Sequence, residues 1–360
     1  MHVPFCEVIC HYCHFYTARS KDARQPEFFG ALMKHAASDF SRMGDKLDAI
    51  YFGGGTPAAS PPVQIGSFLS SLKDLITSAT EITLEANPAN VTSENVKRWK
   101  ESGINRISMG VQSLNDELLR KLGRMHTADE ARRALDVCLA EIDNVSCDLM
   151  YAVPGQPEEE PGKQALELVR RGATHLSAYH LTLEKEHFLH PQLPTGEFAW
   201  KQIRSIADRV VPLGLGHYEI ASFAASDRES VNNKNYWSGG PYLALGPSAH
   251  GFDGESTRWT NVSDWQEYIR KVEAGESPLA WTENLTPQQR LIEVVFTSIR
   301  TSEGLDLKSF ESKFGIDLVS QKKGLFERWE KEDLGTVTKG RFVLSFSGRM
   351  LADEIAKKLI

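Results

Sequence analysis

Short apolar segments alternate with helical patterns through the first two thirds of the chain, and this alternation restricts the fold more than any other feature. The apolar segments predict strands at Asp48–Phe52, Glu81–Glu85, Arg106–Met109, Val145–Met150, His175–Tyr179 and Tyr218–Ala221. The intervening periodicity predicts helices near residues 26–43, 62–76, 92–102, 127–141, 158–171 and 199–213. Such alternation indicates parallel strands joined by helical crossovers. We therefore expect an α/β fold built as a partial or full parallel (β/α) barrel.

The alternation ends after residue 222, where the chain becomes polar and then rich in glycine and proline. The segments Ser226–Trp237 and Ser238–Gly251 predict one long loop with functional potential. We therefore expect three parts, namely a barrel core (residues 1–222), an extension (223–284) and a C-terminal domain (285–360).

The C-terminal domain combines helical patterns with a short β segment. Helices are predicted at Pro287–Thr301, Leu307–Phe314 and Leu318–Trp329, and a strand is predicted within Gly340–Ser345, followed by a last helix. This combination is typical of a small winged-helix-like α+β domain. The net charge of −7 argues against nucleic acid as a partner, because nucleic-acid binding relies on a broad basic surface.

The five cysteines indicate metal binding, because three of them fall within eight positions. No apolar run approaches the roughly 20 residues that span a bilayer, and the N-terminus lacks the pattern of a signal peptide. We expect no transmembrane segment and a cytoplasmic protein, in which a disulfide framework is rare. Cys138 and Cys147 stand alone in apolar segments and are expected to be small buried side chains.

The three clustered cysteines are Cys6, Cys10 and Cys13, separated by three and then two residues. Three thiolates on one tight loop can hold three irons of a cubane iron–sulfur cluster and leave the fourth iron open to a reactant. Zinc is the alternative, but a zinc site usually has four ligands from paired short motifs. The nearby candidates for a fourth zinc ligand are His2, His11 and His14. Together with the downstream segments described next, the spacing favours a cluster over zinc.

Other unusual segments follow the predicted strands. They are Gly53–Pro57, Glu85–Pro88, Gly110–Gln112 and Asp148–Gly155. In parallel barrels the loops after the carboxyl ends of the strands form the site, so we expect these segments on one face. The glycines of Gly53–Gly55 are expected to bring the backbone close to a ligand and to present exposed N–H groups to it.

The stretch His2-Val-Pro-Phe-Cys6, with the remaining cysteines and Phe15, resembles the cluster loop of the radical S-adenosylmethionine (radical SAM) superfamily. More narrowly, the chain resembles the branch that contains oxygen-independent coproporphyrinogen III oxidases and heme chaperones of the HemW type. The similarity includes the terminal domain and the segments Gly53–Pro57, Thr83–Pro88, Arg106–Ser113, Cys147–Gln156, Tyr218–Ile220 and Asn235–Trp237.

The resemblance implies a 4Fe-4S cluster on Cys6, Cys10 and Cys13. It also implies S-adenosylmethionine as a cofactor, and its binding positions fall on Tyr12, Gly54, Gly55, Thr56, Glu85, Gln112, Arg124 and Asp148. The polar side chains among them suit ribose hydroxyls, an amino group and a carboxylate. In this superfamily the cluster passes one electron to the sulfonium, which breaks a C–S bond and yields a carbon radical.

Three features favour the chaperone branch over the oxidases. Only five residues precede Cys6, Phe15 stands where the oxidases carry a fourth cysteine, and Tyr236-Trp237 belongs to a chaperone-type His-Asn-x-x-Tyr-Trp stretch. We expect a protein that binds heme and transfers it to an acceptor protein. An oxygen-independent coproporphyrinogen III oxidase (dehydrogenase), or another divergent radical SAM enzyme, is the alternative. The sequence leaves open the acceptor, the cleavage of S-adenosylmethionine and the oligomeric state, including a homodimer.

The chaperone motif is altered at its first position, where Asn232 replaces the expected histidine. An amide is a poor axial ligand for heme iron, so another group must serve if heme binds, and His217 is one candidate. The expected heme region comprises Asn232, Tyr236, Trp237 and the second candidate ligand, His250.

The beginning of the chain also departs from the resemblance. Family members have a strand before the His-x-Pro-Phe-Cys stretch, with a cofactor-contacting tyrosine six residues ahead of the first cysteine. That position does not exist here, because Cys6 is the sixth residue. We expect a native start upstream of Met1, which sequencing of the mature N-terminus would test.

Overall fold

The structure is a computed structural model that describes residues 1–19, 24–39 and 44–360. The strands of its first part are β1 (His2–Val3), β2 (Phe5–Cys6), β3 (Ala18–Arg19), β4 (Ala49–Gly54), β5 (Glu81–Ala86), β6 (Arg106–Gln112), β7 (Val145–Tyr151), β8 (His175–His180), β9 (Gly216–His217) and β10 (Ser222–Ala224). Eight of them form one sheet in the order β1-β4-β5-β6-β7-β8-β10-β9. Pairing is parallel from β1 to β8 and antiparallel between β8, β10 and β9. This sheet confirms the expected α/β barrel fold, in its partial form.

Helices connect these strands and cover the sheet. They are α1 (Gln25–Ser38), α2 (Pro62–Ser71), α3 (Ser93–Glu101), α4 (Asp116–Lys121), α5 (Ala128–Leu139), α6 (Glu160–Arg171) and α7 (Gly196–Val210). The outward-facing Phe52 packs on Phe68 of α2, with ring centroids 5.9 Å apart, and Trp99 of α3 is fully buried. The helix predicted near residues 26–43 corresponds to α1, and residues 40–43 of that prediction lie outside the described residues.

The strand predicted at Tyr218–Ala221 is wrong. This segment is the turn between the antiparallel strands β9 and β10. The Glu219 carboxylate accepts a hydrogen bond from the backbone N–H of Ala221 at 3.1 Å, and the N–H of Tyr218 donates to the carbonyl of Ser222 at 3.2 Å. A side chain that bonds its own backbone two residues on favours a turn over a strand.

The long loop predicted after residue 225 contains a helix, α8 (Val231–Ser238). Ser230 caps its N-terminus by accepting from the N–H of Asn233 at 3.3 Å, and Gly239 ends it in the left-handed conformation. These caps supply helix signals that apolar periodicity does not, because α8 is polar around most of its surface.

The rest of the extension is a small antiparallel sheet with one helix on its connection. Its elements are β11 (His250–Phe252), β12 (Thr257–Asn261), α9 (Trp265–Glu273) and β13 (Leu279–Asn284). Residues of α9 pack against α1, where Tyr268 is fully buried and bonds His35 at 2.9 Å. The extension is thereby attached to the barrel.

The C-terminal part has a hydrophobic core of its own, in which Phe342 packs on Phe326 and Trp329. Its elements are α10 (Pro287–Ser298), β14 (Leu305–Asp306), α11 (Leu307–Phe314), α12 (Leu318–Gln321), α13 (Lys323–Lys331), β15 (Gly335–Thr338), β16 (Arg341–Leu344), α14 (Phe346–Met350) and α15 (Ala352–Leu359). The expected small α+β domain is confirmed, although the helix predicted at Leu318–Trp329 is divided at Lys322. In the described ranges, no helix combines the length and apolar character that crossing a membrane requires.

Candidate functional site

A cavity of about 340 Å³ opens at the carboxyl ends of the parallel strands. All eleven residues that the sequence resemblance assigns to the cluster and the cofactor line it. They are Cys6, Cys10, Tyr12, Cys13, Gly54, Gly55, Thr56, Glu85, Gln112, Arg124 and Asp148. Residues from six separate segments of the chain therefore face one space.

The sheet determines where the cysteine loop begins. Strand β1 pairs in parallel with the end of β4, so that the N–H of Gly53 donates to the carbonyl of Met1 at 3.1 Å. The N–H of Gly55 donates to the carbonyl of Val3 at 2.9 Å. Cys6 follows three residues after this ladder and is therefore held at the edge of the cavity.

The expectation that Gly53–Gly55 present exposed N–H groups to a ligand is wrong. Two of these groups belong to the ladder just described, and the N–H of Gly54 donates to the Glu85 carboxylate at 3.2 Å. A Cβ on Gly54 would lie 1.9 Å from Cδ2 of the His2 ring. The absent side chain at position 54 thus makes room for the N-terminal segment, and this contact explains the glycine.

The three thiols are free, and each has polar surroundings. The Cys6 sulfur lies 3.4 Å from the Thr56 hydroxyl oxygen, and Nη1 of Arg124 donates to the Cys10 sulfur at 3.6 Å. Burial raises the pKa of the Cys6 and Cys13 thiols. A bound metal reverses this effect, because metal coordination stabilises the thiolate.

This donor set fits an iron–sulfur cluster better than a single zinc ion. Among the described residues, no three His, Cys, Asp or Glu side chains converge closely enough to hold one metal ion. A zinc ion requires ligands within about 2.0–2.3 Å, whereas each thiolate of a cubane cluster binds a different iron. Of the zinc candidates, His2 contacts the Tyr16 carbonyl at 2.9 Å, and His11 contacts His187 at 3.3 Å.

Two carboxyl groups lie on the inner side of the cavity. Glu85 accepts from the Tyr51 hydroxyl at 2.8 Å, and burial raises the pKa of Glu85. Asp148 accepts from the Ser108 hydroxyl at 3.4 Å, and burial, followed by the charge of Glu85, raises its pKa to about 7. Carboxylates in such a position can accept hydrogen bonds from the hydroxyl or amino groups of a ligand.

Gln112 stands at a bulge in β6, where the register with β7 shifts. Its φ of 63° is unusual for a residue with a side chain. Gly110, within the same bulge, leaves space for Arg124, because a Cβ on Gly110 would lie 3.2 Å from Nη2. The bulge thus places Gln112 at the cavity and leaves room there for Arg124.

Arg124 is positioned by the connection between α4 and α5. Asn115 caps α4, and Thr127 caps α5 through a reciprocal capping box with Glu130. The connection is short, and Nη2 of Arg124 donates to the carbonyl of Gly110 at 2.8 Å. The guanidinium therefore has a defined place between the sheet and Cys10.

Sequence reasoning missed Asn87, which also lines the cavity. Its amide nitrogen donates to the Thr56 hydroxyl at 3.0 Å, and its amide oxygen accepts from Arg124 at 2.5 Å. The sequence feature that could have identified Asn87 is its position within Glu85–Pro88, directly after a predicted strand. Ser108 and Tyr179 line the same cavity and were missed as well.

The four residues of the expected heme region do not come together. Asn232 and Tyr236 line a cavity of about 410 Å³, whereas Trp237 lines a cleft of about 840 Å³ between α8 and the C-terminal domain. His250 is exposed, with its ring centroid 6.4 Å from that of Trp281. Helix α8 thus has a cavity on each side.

The other candidate ligand, His217, is partly buried and lines neither cavity. It stacks on Phe223 with ring centroids 4.2 Å apart, and its Nε2 lies 3.3 Å from the carbonyl of Ile220. Burial, followed by the charge of Arg349, lowers its pKa to about 3. These contacts indicate a structural histidine.

Two family models match the chain: Radical SAM superfamily at residues 1–165 and HemN C-terminal domain at residues 285–351. Heme chaperone HemW of Haemophilus influenzae is 32% identical over 88% of this chain and 85% of that protein. The chain belongs to the HemW family of radical SAM proteins. The resemblance stated from the sequence is therefore confirmed.

Other HemW relatives extend over the whole length. Heme chaperone HemW of Bacillus subtilis is 29% identical over 99% of this chain and 97% of its own. The solved structure of coproporphyrinogen III oxidase (HemN) from Escherichia coli matches with a TM-score of 0.83 and 20% identity, covering 99% of this chain and 88% of that chain. This match shows that the HemW family chain has the HemN fold. Membership of the radical SAM superfamily implies a 4Fe-4S cluster and S-adenosylmethionine.

Proposed function

We propose that this HemW-family chain is a heme chaperone that holds a 4Fe-4S cluster, binds S-adenosylmethionine and transfers heme to an acceptor protein. The cluster and S-adenosylmethionine belong to the barrel core (residues 1–222), and heme belongs to the extension (223–284). The observation that carries the proposal is the single cavity lined by three free thiols and eight predicted cofactor residues.

Cys6, Cys10 and Cys13 hold the cluster as thiolates. When bound, the cluster supplies one-electron chemistry to the sulfonium cofactor. Arg124 donates toward Cys10 and presents a cation that suits the carboxylate of S-adenosylmethionine. The cavity at the strand ends brings the cluster thiols and the cofactor residues to one space.

Glu85 and Asp148 bind the polar part of the cofactor. Their raised pKa values mean that each carboxyl holds its proton more readily than an exposed one. A cationic amino or sulfonium group nearby favours the ionised carboxylate and opposes this effect. Cofactor binding and loss of a proton from this pair are therefore coupled.

Heme binds beside α8 in the cavity of about 410 Å³, whose wall includes Tyr236, Tyr242 and Phe252. Aromatic and apolar walls suit a planar macrocycle, and the volume lies in the usual range for ligand sites. Because Asn232 is a poor ligand, the iron takes another group. The Tyr236 hydroxyl, which faces the Asn232 amide, is the candidate in this cavity, whereas His250 does not line it and would bind heme outside it.

Anaerobic reconstitution tests the cluster. We expect about four irons and four sulfides per chain with broad visible absorbance. Cys10→Ala is expected to lose both signals, whereas Cys138→Ala retains them, because Cys138 is fully buried in the core of the barrel. Equal iron in the two variants would contradict the assignment.

Heme titration tests the chaperone proposal. Saturable binding that is lost in His250→Ala or Tyr236→Phe identifies the iron ligand, and binding unchanged in both variants removes these candidates. The alternative function is an oxidase, although Phe15 lines the cluster cavity where the oxidases carry a cysteine. Decarboxylation of coproporphyrinogen III by the reconstituted protein would overturn the chaperone proposal.

A further inference from the structure

Two of the three cluster thiols are joined by one chain of hydrogen bonds. The Cys6 sulfur lies 3.4 Å from Oγ1 of Thr56, and that oxygen lies 3.0 Å from Nδ2 of Asn87. On the other side, Oδ1 of Asn87 lies 2.5 Å from Nη2 of Arg124, and Nη1 of Arg124 lies 3.6 Å from the Cys10 sulfur. Asn87 is the middle member of this chain.

The chemistry of the groups determines which atom donates at each step. A guanidinium only donates, so Arg124 must face the amide oxygen of Asn87, and the amide nitrogen then faces Thr56. The Thr56 oxygen accepts from that nitrogen, which leaves its own hydrogen free to donate to the Cys6 sulfur. Both sulfurs therefore receive a hydrogen-bond donor whose direction depends on Asn87.

The third thiol has a hydrogen-bond donor of its own. The Cys13 sulfur faces the backbone N–H of Phe15. A backbone donor within the loop does not require a distant side chain. Through these hydrogen bonds Asn87 acts on Cys6 and Cys10, and the charge of Arg124 also reaches Cys13.

Gly110 provides the space that the chain of bonds needs. A Cβ at this position would lie 3.2 Å from both Oδ1 of Asn87 and Nη2 of Arg124. The Gly110 carbonyl also accepts from the same Nη2 at 2.8 Å. The guanidinium is thus held by two acceptors and does not depend on a ligand for its orientation.

We propose that Asn87 is a positioning residue that aims the Thr56 hydroxyl and the Arg124 guanidinium at the sulfurs of Cys6 and Cys10. This arrangement raises the reduction potential of the cluster that these thiolates hold. Reduction adds negative charge to the cluster and its sulfurs, so hydrogen-bond donors stabilise the reduced form more than the oxidised form. The inference rests on the proposed function, because it requires a bound cluster.

The test is a redox titration of the reconstituted holoprotein, followed by electron paramagnetic resonance, with iron content measured on each sample. We expect Asn87→Ala and Thr56→Val each to shift the midpoint potential to a more negative value. Adding Thr56→Val to Asn87→Ala is expected to cause no further shift, because the Thr56 hydroxyl has already lost its orientation. Asn90→Ala, in the same turn, is the control and retains the wild-type potential.

The outcomes separate this inference from the proposed function. A wild-type protein without iron contradicts the cluster assignment itself. A full cluster with an unchanged potential in Asn87→Ala shows that the inference is wrong. If Asn87→Ala does not retain a cluster, Thr56→Val decides, since an unchanged potential in that variant also overturns the inference.

Discussion

The ring of His2 occupies the space beside Gly54 that a side chain would need, with 1.9 Å between Cδ2 of His2 and the position of an ideal Cβ. Gly54 also has a φ of 110°, which side chains rarely adopt. We expect Gly54→Ala to lower the free energy of unfolding by about 3 kcal/mol or more, because it combines strain with a clash. Urea unfolding of the cluster-free protein measures the change.

The matched control is Gly196→Ala at the first position of α7. No heavy atom lies within 4 Å of a Cβ placed there. Alanine in a compatible position restricts the unfolded chain, so we expect a change of about 0.5 kcal/mol or a small gain in stability. A loss at Gly196 equal to the loss at Gly54 would refute the packing explanation.

Arg349 connects the C-terminal domain to the edge of the barrel. Its Nη1 donates to the backbone carbonyl of His217 at 2.6 Å, and its charge acts on the buried Glu219. Arg349→Ala leaves both groups without this partner, and we expect a loss of about 2 kcal/mol in urea unfolding. The control is Arg328→Ala, which removes an exposed pair with Glu332 and is expected to cost about 0.5 kcal/mol or less.

Buried histidines should make the fold sensitive to acid. The pKa of His217 falls to about 3 and that of His126 to about 4, both chiefly because burial disfavours the charged ring. The unfolded chain therefore binds more protons below the ordinary pKa of 6.5, and stability falls as the pH is lowered from 6.5 toward 3. Unfolding measured across this range should show a smaller slope for His217→Phe. A slope that stays the same in His217→Phe would contradict this account.

Asp148 should have the opposite dependence. Its pKa of about 7 lies above the ordinary value of 3.8, so the folded protein binds more protons than the unfolded chain between these values. Its contribution to stability is present below pH 3.8 and is lost as the pH rises through about 7. We expect Asp148→Asn to be more stable than the wild type at pH 8 and to bind S-adenosylmethionine more weakly. Scanning calorimetry measures the stability and titration calorimetry measures the binding of S-adenosylmethionine. An Asp148→Asn variant that is less stable than the wild type at pH 8 would contradict the prediction.

Asn232→His restores the histidine of the chaperone-type motif in the cavity beside α8. Imidazole is a better heme ligand than an amide, so we expect tighter heme binding and an altered Soret band. Asn233→His places the same ring one residue along the helix, on a different face, and serves as the control. Identical spectra for the two variants would indicate that position 232 does not face the iron.

The inner strands were predictable because each is a short apolar run that the helices cover on one side. Strands β5 and β7 begin at the predicted residues Glu81 and Val145. Helix α8 was not predictable from periodicity, since Ser230 and Gly239 define it by capping rather than by an apolar face. The turn at Tyr218–Ala221 was missed because a side-chain hydrogen bond, rather than the alternation of its residues, decides its conformation.

The resemblance identified the residues of the site from the sequence. It did not explain why some of those positions require the residues they have. The contact between Gly54 and His2 joins residues 52 positions apart, and the sequence contains no local sign of it. Asn87 likewise has an ordinary appearance in the sequence. Its importance depends on Thr56 and Arg124, which the fold brings to it from two other loops.

The ladder between β1 and β4 has a consequence for protein engineering. Hydrogen bonds to Gly53 and Gly55 fix the position of the cysteine loop relative to the sheet. An insertion between Val3 and Cys6 would therefore displace the thiols from the cavity. Neither segment is expected to keep this arrangement when it is transferred to another protein without the other. A chimeric barrel that receives residues 1–19 must also receive residues 53–56, because together they form one transplantable unit.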